Sequence, residues 1–140
     1  MPSQEAMRCL EQMYKNEMAG INRYLHYSFM IMGYHRIPIQ AWLRTQAAES
    51  MTHSVTIGEK ITSYGGHPPL VIGTVEETND HDINTILKES LIHEEHQLDL
   101  CKQLARLAED DIALEEFARM FVKDETEHIE EVKKMLRERG

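Results

Sequence analysis

The chain has 140 residues, of which 41% are hydrophobic and 28% are charged, with only 7 Gly and 4 Pro. This composition predicts a single globular domain over 1–140 and argues against a disordered chain or a turn-rich β-sandwich. Twenty-four acidic residues against 15 Lys and Arg give a formal net charge of −9. Such a surface repels phosphate backbones, so we expect no nucleic-acid partner.

Apolar residues recur at helical spacing in four segments of the chain. They predict helices near 3–33, 38–64, 81–109 and 111–138. Candidate N-caps precede three of these segments, namely Ser3, Asp80 or Asp82, and Asp110 or Asp111. Pro38 suits the first position of the second helix, and Gly65-Gly66 can end it.

The connections predict how the four helices are arranged. Short turns after the first and third helices favour two antiparallel hairpins. The region 65–80 contains glycine and proline and is long enough to run the length of a helix of about 40 Å. We therefore predict an all-α four-helix bundle with one long crossover between helices 2 and 3.

Each predicted helix carries a polar residue that interrupts its apolar face near the middle. Taken singly, such residues are more often exposed than functional. Together they lie at one height of the bundle, where unpaired charge would be costly and a cation would neutralise it. Carboxylate and imidazole donors suit iron, manganese or zinc. The pattern predicts a metal site made by Glu17, His53, Glu94, Glu125 and His128.

The other histidines are predicted at the surface or at its boundary; they are His26, His35, His67, His81, His93 and His96. Cys9 and Cys101 form no zinc-binding spacing, and we expect two buried thiols, with a disulfide as the open alternative. The N-terminal residues do not resemble a secretory signal, and the longest apolar run, 29–32, is too short to span a membrane. We therefore expect a cytoplasmic protein without a membrane partner.

Four segments of the chain resemble the bacterioferritin family of the ferritin-like superfamily. Positions 16–24 (NEMAGINRY) resemble its first-helix motif, and 124–129 (DETEHI) resemble its last-helix Glu-x-x-His segment. Positions 48–53 (AESMTH) and 91–94 (LIHE) resemble the second-helix and third-helix segments. The resemblance implies a protein that oxidises Fe(II) at a di-iron centre and stores ferric mineral in a hollow cage.

Carried over by position, the resemblance implies a role for each candidate ligand. Glu17 and Glu94 look like terminal carboxylate ligands, and Glu125 looks like a bridging carboxylate. His53 and His128 look like the two imidazole ligands. These residues would hold a pair of iron ions, with manganese or zinc as substitutes.

The resemblance also implies roles for residues beside the ligands. Tyr24 looks like the tyrosine that hydrogen-bonds near the centre, and we expect it to take part in catalysis. Met51 falls where the family has its haem-ligating methionine, shared across a two-fold axis, so haem is a further candidate cofactor. Apolar Ile21, Leu25 and Met51 exceed the needs of the bundle interior, which predicts at least a homodimer.

Two departures from the family pattern matter. Ser50 stands where the family has its second bridging carboxylate, and a serine hydroxyl is a poor iron ligand at neutral pH. Glu49 compensates only if its side chain swings around the helix. The chain also ends at Gly140, where the family continues into a short fifth helix, which argues against a complete cage.

Three functions therefore compete. The first is iron oxidation and storage, with unequal affinities for the two ions because of Ser50. The second is a ferritin-fold dimer that binds metal or haem without fast ferroxidase activity. A rubrerythrin-like peroxidase comes last, because Gln97 stands near the place of that family's extra carboxylate and no four-cysteine module is present.

Overall fold

The computed structural model describes residues 2–76 and 78–137. Four α-helices follow one another as α1 (Gln4–Met30), α2 (Arg36–Ser63), α3 (Ile83–Leu107) and α4 (Ile112–Leu136). No β-strand occurs in these described ranges. Helix α1 packs against α2 and α3, and α3 packs against α4. The predicted all-α four-helix bundle is confirmed, and none of the described helices is long and apolar enough to cross a bilayer.

Local capping explains where three of the helices begin and where one of them ends. The side chains of Ser3, Asp82 and Asp111 each accept a hydrogen bond from the backbone N–H three residues on. At the end of α2, Gly65 adopts a left-handed φ of 82°. The N–H groups of Gly65 and Gly66 donate to carbonyls of the last turn, which is the Schellman arrangement.

The turn between α1 and α2 differs from the prediction. Helix α1 ends at Met30 rather than at 33, because Ile31 is extended and the Met32 N–H donates to the carbonyl of His81 in the crossover. The guanidinium of Arg36 donates to the Ile31 carbonyl at 2.7 Å and so satisfies one of the free groups at the helix end.

Two further predicted boundaries need comment. Helix α2 begins two residues before Pro38, which therefore occupies the third position and not the first. Proline is tolerated there because N–H groups of the first turn have no partner within the helix. The predicted end of the last helix at 138 lies outside the described residues, and α4 ends at Leu136.

The connection from α2 to α3 runs along the bundle, as predicted. It leaves the end of α2 and donates a hydrogen bond from the Gly73 N–H to the Lys15 carbonyl, in the middle of α1, at 2.9 Å. It then reaches the far end of α1, where His81 Nδ1 lies 2.7 Å from the Met30 carbonyl. The crossover thus links opposite ends of the bundle.

The core consists of two apolar clusters with a polar layer between them. One cluster contains Met13, Ile57 and Leu100, and the other contains Tyr24, Ala47 and Ile86. Along every helix, the predicted metal ligands fall between or beside these positions.

Both cysteines lie in the cluster near the start of α1, where they are buried and free. The Cys9 thiol donates to the Leu100 carbonyl at 3.1 Å, and burial raises its pKa to about 11. Burial likewise raises the pKa of Cys101 far above its usual range. The expected pair of buried thiols is confirmed, and both are protonated at neutral pH.

Candidate metal centre

The bundle brings all five predicted ligands into its polar layer. The carboxylates of Glu17, Glu94 and Glu125 are 4%, 4% and 2% exposed, and they come from α1, α3 and α4. His53 on α2 and His128 on α4 are partly buried. Glu125 and His128 are three residues apart, so they share one face of α4. Four helices thus contribute to one site.

One half of the layer already has the spacing of a metal site. His53 Nδ1 lies 3.4 Å from Glu17 Oε2 and 3.8 Å from Glu125 Oε1. One donor atom from each of the three residues lies within 4.8 Å of the others. Donors that bind one ion at about 2 Å are separated by up to about 4 Å, so a small contraction would complete the site.

Two carboxylate oxygens in this half have no hydrogen-bond partner among the described residues, although both are buried. They are the Oε2 atoms of Glu17 and Glu125. Buried polar atoms are nearly always hydrogen-bonded, and an orphaned carboxylate oxygen facing another carboxylate is a natural cation ligand. The donor set therefore fits a divalent metal ion.

The other half of the layer is organised by Tyr24. Its hydroxyl donates to Glu94 Oε1 at 2.6 Å and lies 3.3 Å from His128 Nε2. The side chain is fully buried, and burial, together with the charge of Glu94, raises its pKa well above the usual range. Tyr24 is therefore a neutral phenol that donates its one hydrogen to the carboxylate and contacts the imidazole through its oxygen.

The carboxylates titrate differently because they are buried together. Burial raises the pKa of Glu17 to about 7, with the charge of Glu94 adding to the rise and His53 opposing it. Burial and the charge of Glu94 raise the pKa of Glu125 well above its usual range. Burial alone would raise the pKa of Glu94, but the adjacent Glu125 carboxyl and the charge of His128 lower it overall. Glu94 is thus ionised, whereas the raised pKa of Glu125 favours its protonated form.

His53 completes the electrostatics of the site. Burial alone would lower its pKa, but the adjacent, negatively charged carboxylate of Glu17, with the charges of Glu49 and Asp124, raises it overall. Without metal, the excess negative charge is therefore balanced by protons. A cation that binds here displaces those protons, so its affinity should rise with pH.

The second-helix segment that departs from the family pattern contains Glu49 and Ser50, which lie on different sides of the polar layer. Ser50 is buried, and its hydroxyl lies beside the Glu17 carboxylate, whose pKa it helps to lower. Glu49 is exposed and lines an outer cleft of about 260 Å³ with Asp124 and His128. The Glu49 side chain therefore lies outside the metal centre in this structure.

The predicted surface position of His93 is wrong. It is buried on α3, and burial lowers the pKa of its imidazole to about 4. Its Nε2 atom lies 3.0 Å from the point that a Cβ on Gly20 would occupy. The available signal was the helical spacing that His93 shares with Ile86, Ser90 and Gln97, all buried.

Met51 lies outside the polar layer, on the outer face of α2, and its side chain is 58% exposed. It lines a groove of about 350 Å³ with Tyr14, Met18 and Ile21 of α1. Leu25 is also exposed, as the prediction of a surplus apolar surface requires. In one copy of the chain, Met51 thus lies on an open groove.

Comparison with known proteins identifies the family of the chain. A family model described as a ferritin-like domain matches residues 8–139. None of the curated proteins compared with the sequence matches it.

Several solved structures share the fold. A ferritin-like, diiron-carboxylate protein from Bacillus anthracis is 20% identical with a TM-score of 0.89, and the match covers 96% of each chain. BfrA from M. tuberculosis is 22% identical with a TM-score of 0.86, covering 97% of this chain and 85% of that one. A dodecameric thioferritin from Bacteroides fragilis, a bacterioferritin-related protein, is 16% identical with a TM-score of 0.84, covering 95% and 84%. With a family model that spans most of its length, the chain belongs to the ferritin-like domain family.

Proposed function

We propose that this protein binds iron in the polar layer of its bundle and oxidises Fe(II) there for storage. The observation that carries the proposal is the cluster of Glu17, His53 and Glu125, whose donor atoms lie within 4.8 Å of one another and include buried oxygens without partners. The ferritin-like family and the similarity to a diiron-carboxylate protein support iron as the metal.

The ligands divide between two positions. Glu17 and His53 would hold one ion, Glu94 and His128 would hold the other, and Glu125 lies between the two halves. Fe(II) is the substrate at both positions. Two Fe(II) ions would lose one electron each, and dioxygen would take both electrons with two protons and leave as hydrogen peroxide.

Tyr24 would act in this reaction by holding Glu94 and His128 in register. Its hydroxyl contacts both side chains, and its raised pKa keeps the proton on the phenol. A fixed second hydrogen bond to a ligand is what orients a metal site.

Ser50 favours a second candidate function, which is metal binding without fast oxidation. When ionised, the three buried carboxylates of the layer carry three negative charges; they are Glu17, Glu94 and Glu125. Two Fe(II) ions carry four positive charges, so a site that holds both ions keeps a net positive charge. The second ion should then bind more weakly than the first. A protein that holds one ion firmly has no partner iron to supply the second electron.

Iron content and oxidation rate separate the two functions. Anaerobic protein would be loaded with Fe(II), mixed with oxygenated buffer, and followed by the absorbance of ferric iron and by iron per subunit after gel filtration. Two ions and rapid oxidation support the ferroxidase; one ion and slow oxidation support the binding protein. Absence of bound iron, with Glu125→Gln indistinguishable from the parent, would overturn both.

We also infer a homo-oligomer, at least a dimer, formed through the outer face of α1 and α2. Phe29, Met51 and Val55 are more than half exposed on this face, and such apolar patches mark contacts between proteins. A two-fold contact would bring Met51 of two copies together, as haem binding requires. Light scattering of the parent and Val55→Lys tests the oligomer, and haem titration of the parent and Met51→Leu tests the ligand.

The two free thiols of Cys9 and Cys101 fit a reducing cytoplasm.

A further inference from the structure

We propose that His93 is a third imidazole ligand of the metal centre, and that it supplies the donor that Ser50 does not. The proposal rests on the proposed metal-binding function of the polar layer. It concerns a residue that the five-ligand pattern leaves out.

The first argument is the position of the ring. His93 Nε2 on α3 and Ser50 Oγ on α2 both approach Gly20 of α1, at 3.0 Å and 2.9 Å from the point that a Cβ would occupy. An imidazole from one helix and a hydroxyl from another therefore meet over a glycine inside the bundle. Any larger residue at position 20 would fill this space, and a longer side chain at position 50 would enter it.

The second argument is the surroundings of the ring. His93 precedes Glu94, and its ring packs edge-on against Tyr24, with centroids 6.2 Å apart, where Tyr24 bonds Glu94. Among the described residues, neither ring nitrogen of His93 makes a hydrogen bond, although Gln97, one turn on, bonds Asn16 at 2.8 Å. An imidazole that makes no hydrogen bond and lies beside the candidate ligands has a donor atom free for metal.

The third argument is chemical. Imidazole and carboxylate both bind Fe(II), so an imidazole restores one of the two donor atoms that a bridging carboxylate would supply, but not its negative charge.

Paramagnetic NMR of the Co(II)-loaded full chain tests the proposal without any activity measurement. With 15N-labelled histidine, each ligating ring gives a contact-shifted signal. We expect three such rings in the parent, two in His93→Leu, and three in the control His96→Leu, which removes an exposed imidazole one turn away. Ser50→Glu should place a carboxylate in the same space and remove the His93 signal. Binding of the second Co(II) should weaken about tenfold or more in His93→Leu.

The outcomes distinguish this proposal from the proposed function. Two shifted rings in the parent, unchanged in His93→Leu, overturn the role of His93 and leave the metal site intact. No shifted ring in the parent overturns both. If His93→Leu does not fold, His93→Gln replaces it, because an amide of similar size gives no imidazole signal; three rings in that variant also contradict the proposal.

Discussion

The Tyr24 hydroxyl donates a 2.6 Å hydrogen bond to the Glu94 carboxylate, across a separation of 70 residues. The bond joins α1 to α3 inside the polar layer, and bonds of this kind to a charged acceptor are short and strong. It also helps to keep the pKa of Glu94 low, after the larger effects of Glu125 and His128, against the opposing effect of burial. The Tyr24 hydroxyl thus joins two helices and also helps to keep a candidate metal ligand ionised.

Removal of this hydroxyl should destabilise the metal-free protein in a pH-dependent way. Tyr24→Phe leaves a buried carboxylate with one donor fewer, so the free energy of unfolding at pH 7 should fall by about 1–3 kcal/mol. The pKa of Glu94 is lowered on folding, so its ionised form stabilises the protein above about pH 4.5, and this contribution is lost as the pH falls. Urea denaturation at pH 7 and at pH 4 should show the difference shrinking.

Tyr27→Phe is the matched control. It removes another buried tyrosine hydroxyl, which accepts a bond from Arg23 at 2.9 Å and does not contact Glu94. The loss of stability in Tyr27→Phe should therefore not depend on the protonation state of Glu94. A Tyr24→Phe effect that stays constant from pH 7 down to a pH at which Glu94 is protonated would show that the hydroxyl does not stabilise the ionised carboxylate.

Glu17 should make the metal-free protein less stable as the pH rises. Its pKa is raised from 4.5 to about 7 on folding, so the folded state holds a proton that the unfolded state releases between these values. Stability therefore falls across this range by an amount on the order of 3 kcal/mol. Glu17→Gln should flatten the fall and leave the apo protein more stable than the parent at pH 7.5.

Metal addition supplies the complementary measurement. Zn(II) should raise the thermal midpoint of the parent at pH 7.5 and should raise that of Glu17→Gln much less, because an amide neutralises no charge. Equal shifts in the two proteins, or identical pH profiles without metal, would argue against Glu17 as a buried ligand.

Gly20 and Gly58 give a matched pair of helix-interior substitutions. Alanine favours a helix over glycine by up to about 1 kcal/mol, so Gly58→Ala, whose Cβ would meet Tyr14 at an ordinary 3.5 Å, should be stabilising. In Gly20→Ala the Cβ would press on Ser50 and His93, and overpacking costs about 1–3 kcal/mol. Chemical denaturation should therefore give opposite signs, and equal stabilisation by both would refute the close packing over Gly20.

A restored carboxylate in the second helix should strengthen the weaker metal position. Ser50→Glu adds the charge that balances a second divalent ion, so titration with Fe(II) should show tighter binding of that ion and faster oxidation. Glu49→Gln should leave both properties nearly unchanged, since Glu49 is exposed in the outer cleft. Loss of the second ion in Glu49→Gln, with no gain in Ser50→Glu, would mean that Glu49 turns inward to fill the gap.

Local patterns were sufficient to predict the helices and the polar residues that interrupt their apolar faces. Apolar spacing identifies each helix. The side chains of Ser3, Asp82 and Asp111 cap their helices through hydrogen bonds that span three residues, so the residues nearby in the sequence are sufficient to predict each cap. Glu17 and Glu94 could likewise be assigned to the interior because each interrupts an apolar stripe. The helical repeat converts such a stripe directly into a buried face.

Contacts between distant segments decided the rest. Helix α1 ends early because Met32 pairs with His81 of the crossover, and no local signal records that bond. His93 is buried because Gly20 and Ser50 on two other helices leave space for its ring. The sequence by itself therefore determined the four helices, their caps and the polar residues of the layer, since these follow from interactions within a few residues. Only the tertiary structure decided which polar groups share space, where burial raises the pKa of a carboxylate, and which histidine is buried, since these depend on side chains brought together from separate helices.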